Sequence, residues 1–187
     1  MKRQRRAALL VVDVINPFDF AGASRLLGAA ERIAEAVLRA RAAFDRAGLP
    51  VVYCNDNFGK WRSDARANLA ACMAANRPGA RFVEALAPRS TDYFVLKPRH
   101  SAFLATPLEL LLRSLRIRRV VIVGLAGDSC VHSTAVDAHS RDFEVFVVGD
   151  ATASETPTRN RRAIAQLEDR AAIRAVSSRG VARILRA

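Results

Sequence analysis

The chain has 187 residues, of which 51% are hydrophobic, and its formal net charge is +12. This length suits a single domain, residues 1–187, with a full hydrophobic core, and no apolar run approaches the roughly 18 residues that a membrane span needs. The basic start, residues 1–6, leads directly into an apolar segment without a small-residue cleavage site, so we interpret it as a solvated arm and not as a signal peptide.

The positive charge comes almost entirely from arginines that are scattered along the chain. They are not interleaved with aromatic residues in the way that single-strand binders use, so we expect no specific nucleic-acid partner. The three cysteines, Cys54, Cys72 and Cys130, are odd in number and widely spaced. This pattern favours a reducing, cytoplasmic location and argues against a disulfide framework.

Apolar runs that suit buried strands alternate with segments of helical periodicity along the chain. The predicted strands are residues 7–12, 50–54, 93–96, 120–123, 144–148 and 172–176. The predicted helices are residues 30–47, 63–75, 106–115, 130–138, 159–170 and 178–185, the third with a capping-box pattern at its start. Strands alternating with helices imply parallel βαβ units, so we expect a three-layer α/β/α sandwich with a mostly parallel sheet of about six strands.

Three reactive side chains lie at or just past the carboxyl end of a predicted strand. They are Asp13, Lys97 and Cys130, and in a parallel sheet those ends meet at one edge, where ligands bind. The sulfur would attack, the carboxylate would take its proton, and the ammonium would hold the pair in register. Each also has a structural interpretation, namely a turn cap for Asp13, a strand-end lysine whose charge reaches solvent for Lys97, and core packing for Cys130.

Three segments resemble the isochorismatase-like cysteine hydrolases. They are LLVVDVINPFDF with Asp13, VLKPRHSAF with Lys97 and VIVGLAGDSCVHSTAVDA with Cys130, in the order that this family has them. The resemblance implies a Rossmann-like sheet, a homo-oligomer, and hydrolysis of small amides through an acyl-enzyme with Asp13 as base, Lys97 as its electrostatic partner and Cys130 as nucleophile. It also implies a cis peptide before Ala126 and an oxyanion hole formed by the N–H groups of Ala126 and Cys130.

The sequence departs from parts of the family in two places. Gly127 replaces a threonine often found three residues before the cysteine, so we expect a turn that is looser or differently bonded. Residues 55–61 lack the histidines with which nicotinamidases bind a metal, and His100, His132 and His139 do not restore the pattern and are interpreted as packed or exposed. We therefore expect no metal, no cofactor and a substrate other than nicotinamide. Cys130 also argues against the ether cleavage of true isochorismatases, which lack this cysteine.

The sequence thus predicts a metal-free cysteine hydrolase that cleaves a C–N bond of a small amide, carbamoyl or ureido compound. The alternative is a catalytically idle family member that serves as a binding or assembly protein. Side chains in the loops that follow the predicted strands are candidates for the substrate pocket. These candidates are Phe18, Phe20, Asn57, Phe58, Trp61 and Phe103, and each has core packing as its other interpretation.

Overall fold

A computed structural model describes residues 6–171 and 173–186, and its centre is a parallel sheet of six strands in the order β3-β2-β1-β4-β5-β6. The strands are β1 Ala7–Val12, β2 Val51–Asp56, β3 Tyr93–Lys97, β4 Arg119–Leu125, β5 Glu144–Ala153 and β6 Arg174–Val176. The helices are α1 Ala23–Arg46, α2 Ala65–Met73, α3 Ala80–Ala85, α4 Leu108–Ser114, α5 Cys130–His139, α6 Pro157–Ala171 and α7 Val181–Arg186. A 3₁₀ turn, Ser178–Gly180, precedes α7.

The sheet has a separate hydrophobic core on each face. Leu9 and Val11 of β1 pack on the face that α1 covers, while Leu10 and Val12 pack on the face that α4 and α5 cover. All six residues of β1 are buried, and a strand that is buried on both faces has a continuous apolar sequence. The predicted three-layer α/β/α sandwich is therefore confirmed.

The close approach of β1 and β4 depends on a glycine. Gly124 has a φ of +115°, and a Cβ atom on it would lie 2.1 Å from the carbonyl oxygen of Val12. Only glycine adopts this backbone conformation readily and leaves room for the neighbouring strand. The carboxyl ends of β1 and β4 are consequently held side by side.

Several elements differ from the sequence prediction, among them two helices before β3. The helix predicted over residues 63–75 is shorter, because Asp64 caps it by accepting a hydrogen bond from the Ala67 N–H at 2.8 Å. The six-residue helix α3 was not predicted, because it is shorter than two turns and shows no full period.

Two further differences concern β5 and α4. β5 continues to Ala153, past its predicted end at residue 148, with a shift in register opposite β4. α4 begins at Leu108, whose N–H donates to the Thr106 hydroxyl at 3.2 Å. Glu109 pairs with Arg113 at 3.1 Å and does not complete the predicted capping box.

β6 begins at Arg174, and residue 172, where the prediction started this strand, lies outside the described residues. None of the helices in the described part of the chain is long and apolar enough to cross a membrane.

Candidate active site

Three neighbouring strands and one helix carry polar side chains to the carboxyl edge of the sheet. Asp13 follows β1 directly and has a φ of +49°, Lys97 is the last residue of β3, and Cys130 is the first residue of α5. Because β2 lies between β3 and β1 in the sheet, the side chain of Lys97 lies beside Asp56, the last residue of β2. One edge therefore collects two carboxylates, an ammonium and a thiol.

The Lys97 ammonium is the centre of this cluster. Its Nζ lies 2.9 Å from Asp13 Oδ2, 3.3 Å from Asp56 Oδ2 and 3.5 Å from Cys130 Sγ. The other oxygen of Asp13, Oδ1, accepts the backbone N–H of Asp56 at 2.7 Å. The Lys97 side chain is fully buried and that of Asp13 is 8% exposed, so water screens their attraction little. The structure thus brings the three predicted side chains into mutual contact.

Burial and neighbouring charges shift all three ionisation equilibria. Burial raises the pKa of Asp13, and the Lys97 ammonium offsets part of that rise. Burial alone would lower the pKa of Lys97, but the carboxylate of Asp13 and the sulfur of Cys130 raise it, so the ammonium keeps its charge. Burial raises the pKa of the Cys130 thiol to about 12, the charge of Asp13 adds to the rise and Lys97 opposes it. The resting form of Cys130 is therefore the thiol.

The turn between β4 and α5 lies against this cluster, and the peptide bond between Leu125 and Ala126 is cis. The N–H of Gly127 donates to Ala153 O at 2.8 Å, and the N–H groups of Ser129 and Val131 both donate to Ala126 O. Within the described residues, the hydrogen bonds of the turn leave the N–H groups of Ala126 and Cys130 without an acceptor.

Gly127 makes room for a side chain from α6. A Cβ atom at this position would lie 1.9 Å from Asn160 Oδ1 and 2.9 Å from Thr152 Cγ2. The Asn160 amide also donates to Thr152 O at 2.9 Å and so ties α6 to the end of β5. Asn160 thus occupies the space that a side chain at residue 127 would need, and the expectation of a looser or differently bonded turn stays a prediction.

His100 and Ser129 lie beside the sulfur of Cys130. His100 Nδ1 is 3.2 Å from Ser129 Oγ and 3.8 Å from Cys130 Sγ, and the His100 side chain is exposed. The loop that carries His100 is fixed to α5, because the Ala102 N–H donates to Thr134 Oγ1 at 3.0 Å. His100 is exposed, as one of its two interpretations expected, but its position next to Cys130 was not predicted.

Two of the predicted pocket residues lie in the hydrophobic cores. Phe18 is 3% exposed and its ring packs edge-on against Phe82, with centroids 5.8 Å apart. Phe103 is 5% exposed and packs against Phe143 at 5.9 Å. Their observed contacts are therefore core contacts, and a pocket role for either ring stays a prediction.

The other four predicted pocket residues lie on loops at the carboxyl edge. Phe20 is 45% and Trp61 78% exposed, while Phe58 is half-buried. Asn57 is buried, and its Oδ1 accepts the Gly59 N–H at 2.9 Å, so this side chain shapes the loop after β2. Phe20, Phe58 and Trp61 are left as the apolar surfaces that a substrate could meet.

The metal of the nicotinamidases does not fit the loop after β2. The only carboxylate there that faces the cluster, that of Asp56, is occupied by the Lys97 ammonium at 3.3 Å and by the Phe58 N–H at 2.7 Å. An ammonium in this position repels a divalent cation. Among residues 6–171 and 173–186, no three His, Cys, Asp or Glu side chains form a group that could hold a metal ion.

Comparisons with known proteins agree on one family. The family model described as the isochorismatase domain matches residues 7–178. The chain is 35% identical to the uncharacterized isochorismatase family protein YaaI of Bacillus subtilis, over 87% of this chain and 88% of that protein. It is 32% identical to the ureidoacrylate amidohydrolase RutB of Methylorubrum extorquens, over 80% of this chain and 70% of RutB. The solved structure of N-carbamoylsarcosine amidase from Thermoplasma acidophilum superposes with a TM-score of 0.70 at 28% identity, covering 92% of this chain and 96% of that one.

Proposed function

The chain belongs to the isochorismatase family, and we propose that it is a metal-free cysteine hydrolase that cleaves a C–N bond of a small amide, carbamoyl or ureido compound. The observation that carries this proposal is the buried Lys97 ammonium in contact with Asp13, Asp56 and the Cys130 sulfur. The names of two relatives, an amidohydrolase and an amidase, support the same class of bond.

The first half of the proposed reaction forms a thioester. The Cys130 sulfur attacks the carbonyl carbon of the substrate while its proton passes to Asp13, the carboxylate that shares the Lys97 ammonium with this thiol. Because the thiol has a raised pKa, proton transfer and attack belong to the same step and no free thiolate has to accumulate. When the C–N bond breaks, the proton moves from Asp13 to the nitrogen, and ammonia or an amine leaves.

The negative charge that develops on the substrate oxygen needs hydrogen-bond donors that are already in place. The N–H groups of Ala126 and Cys130 are suited to this role, since the other N–H groups of the turn are bonded to protein acceptors. The positive end of the α5 helix dipole lies at Cys130 and would also stabilise the negative charge on this oxygen. Loss of one such donor costs about 10²–10³ in kcat in other enzymes.

The second half of the reaction hydrolyses the thioester. Asp13 takes a proton from a water molecule, and the oxygen of this water attacks the carbonyl carbon of the thioester. Collapse of the intermediate releases the acid, and the proton returns to the Cys130 sulfur. Throughout, the Lys97 ammonium holds the Asp13 carboxylate at 2.9 Å, which fixes the base in the position from which it serves both halves.

The direct test is a screen for ammonia release. Primary amides, N-carbamoyl amino acids and ureido acids are incubated with the wild type, with Cys130→Ala and with Cys72→Ala, whose thiol is buried away from the cluster. We expect release by the wild type and by Cys72→Ala on at least one compound and none by Cys130→Ala, with mass spectrometry detecting the acyl group on Cys130 at short times.

Two results would contradict the proposal. If Cys130→Ala retained activity, the cysteine would not be the nucleophile. If the folded wild type released ammonia or amine from none of the compounds, the alternative of a binding or assembly protein without turnover would be favoured. Circular dichroism of each variant checks that a loss of activity is not a loss of the fold.

A further inference from the structure

The Cys130 sulfur has one acid–base neighbour inside the protein and another on the solvent side. Asp13 is the inner neighbour and is almost completely buried with Lys97. His100 is the outer neighbour, with Nδ1 at 3.8 Å from Sγ and an exposed side chain. Both lie within reach of the thiol proton, but their surroundings differ.

We propose that His100 is a second catalytic residue of this site, which accepts the Cys130 proton from the solvent side in parallel with Asp13. This inference rests on the proposed hydrolase function. The Nδ1 lone pair of the neutral imidazole takes the Sγ proton, which leaves a thiolate beside an imidazolium. The imidazolium then gives this proton to the leaving nitrogen or to solvent, and no other reactant is needed.

Transfer of the proton to Asp13 and transfer to His100 leave different charges in the buried cluster. A proton on Asp13 neutralises the carboxylate that pairs with Lys97 at 2.9 Å, so a fully buried ammonium loses its nearest counter-charge. A proton on His100 creates a cation that water solvates, next to the negative sulfur. The second arrangement keeps the buried Asp13–Lys97 pair intact and puts the new positive charge on an exposed ring, and Lys97 at 3.5 Å stabilises the same thiolate from the other side.

The local structure holds His100 in position for this role. Ser129 Oγ lies 3.2 Å from Nδ1, and the loop of His100 is anchored to α5 through Ala102 and Thr134. Among the described residues, the titratable groups in contact with the sulfur or with its Lys97 partner are Asp13, Asp56, Lys97 and His100, and Arg99 is the exposed neighbour of His100 in the chain.

The test is the pH dependence of Cys130 labelling by iodoacetamide, which needs no substrate. Labelling rates are measured by peptide mass spectrometry from pH 5 to 9 for the wild type, for His100→Gln and for the control His139→Gln. His139 is exposed and is the last residue of α5. We expect the wild type to be labelled faster than His100→Gln across this range, by about tenfold at pH 7, the loss expected for one hydrogen bond to a charged group. His139→Gln should follow the wild type.

Equal profiles for the wild type and His100→Gln, or an equal loss in His139→Gln, would overturn the assignment. Its failure can be told apart from failure of the proposed function. If the wild type cleaves an amide but labelling is independent of His100, the hydrolase proposal stands and His100 is a bystander. If labelling depends on His100 but no compound is cleaved, the acid–base assignment stands and the hydrolase proposal falls.

Discussion

Replacing Lys97 with methionine should destabilise the protein in a pH-dependent way. The substitution removes a fully buried ammonium and leaves Asp13, which is 5% exposed, without its nearest counter-charge. Removing one partner of a buried ion pair costs roughly 3–5 kcal/mol. The contribution of Asp56 is smaller, because that side chain is 25% exposed and water screens it.

The pH dependence follows from the pKa of Asp13. Burial already raises it, and loss of the Lys97 charge raises it further. A folded-state pKa above the unfolded value, about 3.9, means that the folded state holds the proton more tightly. Stability is then greatest at low pH and falls as pH rises towards the folded-state pKa, by up to about 1.4 kcal/mol per pH unit.

The assay is urea unfolding at pH 5 and pH 8 for Lys97→Met, for Asp13→Asn/Lys97→Met and for Lys60→Met, which removes an exposed lysine. We expect Lys97→Met to lose more stability at pH 8 than at pH 5, the double variant to recover much of the loss, and Lys60→Met to stay within about 0.5 kcal/mol of the wild type. The reasoning is wrong if Lys97→Met loses the same amount at both pH values, or if the double variant is no more stable than the single one.

Four further outcomes can be measured. Asp13→Asn should still be labelled at its cysteine nucleophile while turnover on an identified substrate falls by about 10²–10⁴, and near-normal turnover would show that the carboxylate is structural. Gly127→Ala should lower the unfolding free energy by about 1–3 kcal/mol, since its Cβ would lie 1.9 Å from Asn160 Oδ1. Gly28→Ala, within α1, should raise it by about 0.5–1 kcal/mol, and a loss there would contradict the helix assignment. A chelator should leave turnover unchanged because Lys97 occupies Asp56, and recovery of activity on adding one divalent ion per chain would count against this.

The contact between Asp13, Lys97 and Cys130 could be predicted from sequence because each follows a strongly apolar run. A parallel sheet brings the carboxyl ends of such runs to one edge, so the prediction needed only the strand ends and not the order of the strands. The order matters for Asp56. Asp56 contacts Lys97 because β2 lies between β1 and β3 in the sheet. The sequence pattern does not predict which strands are neighbours.

The position of His100 beside Cys130 could not be predicted from sequence for a related reason. His100 lies three residues past β3 on an irregular loop, and its position beside Cys130 depends on the hydrogen bond from Ala102 to Thr134 on α5. Loop paths of this kind are decided by tertiary contacts, which local periodicity does not report. The strand-end rule applied to residue 56 would have identified the second carboxylate, because Asp56 lies two residues past the apolar run 51–54 and ends β2.

Burial, and after it the charges of the cluster, explain why Cys130 rests as a thiol. Two carboxylates and one ammonium already give a formal charge of −1, so ionising Cys130 would add a second negative charge in a buried site, and its pKa rises to about 12. In the proposed reaction an arriving carbonyl would change this balance, since the charge would pass from sulfur to an oxygen at the N–H groups of Ala126 and Cys130 as the bond forms. We therefore expect attack that is coupled to proton transfer, and we expect simple alkylating agents, which offer no such oxygen, to react slowly compared with a substrate.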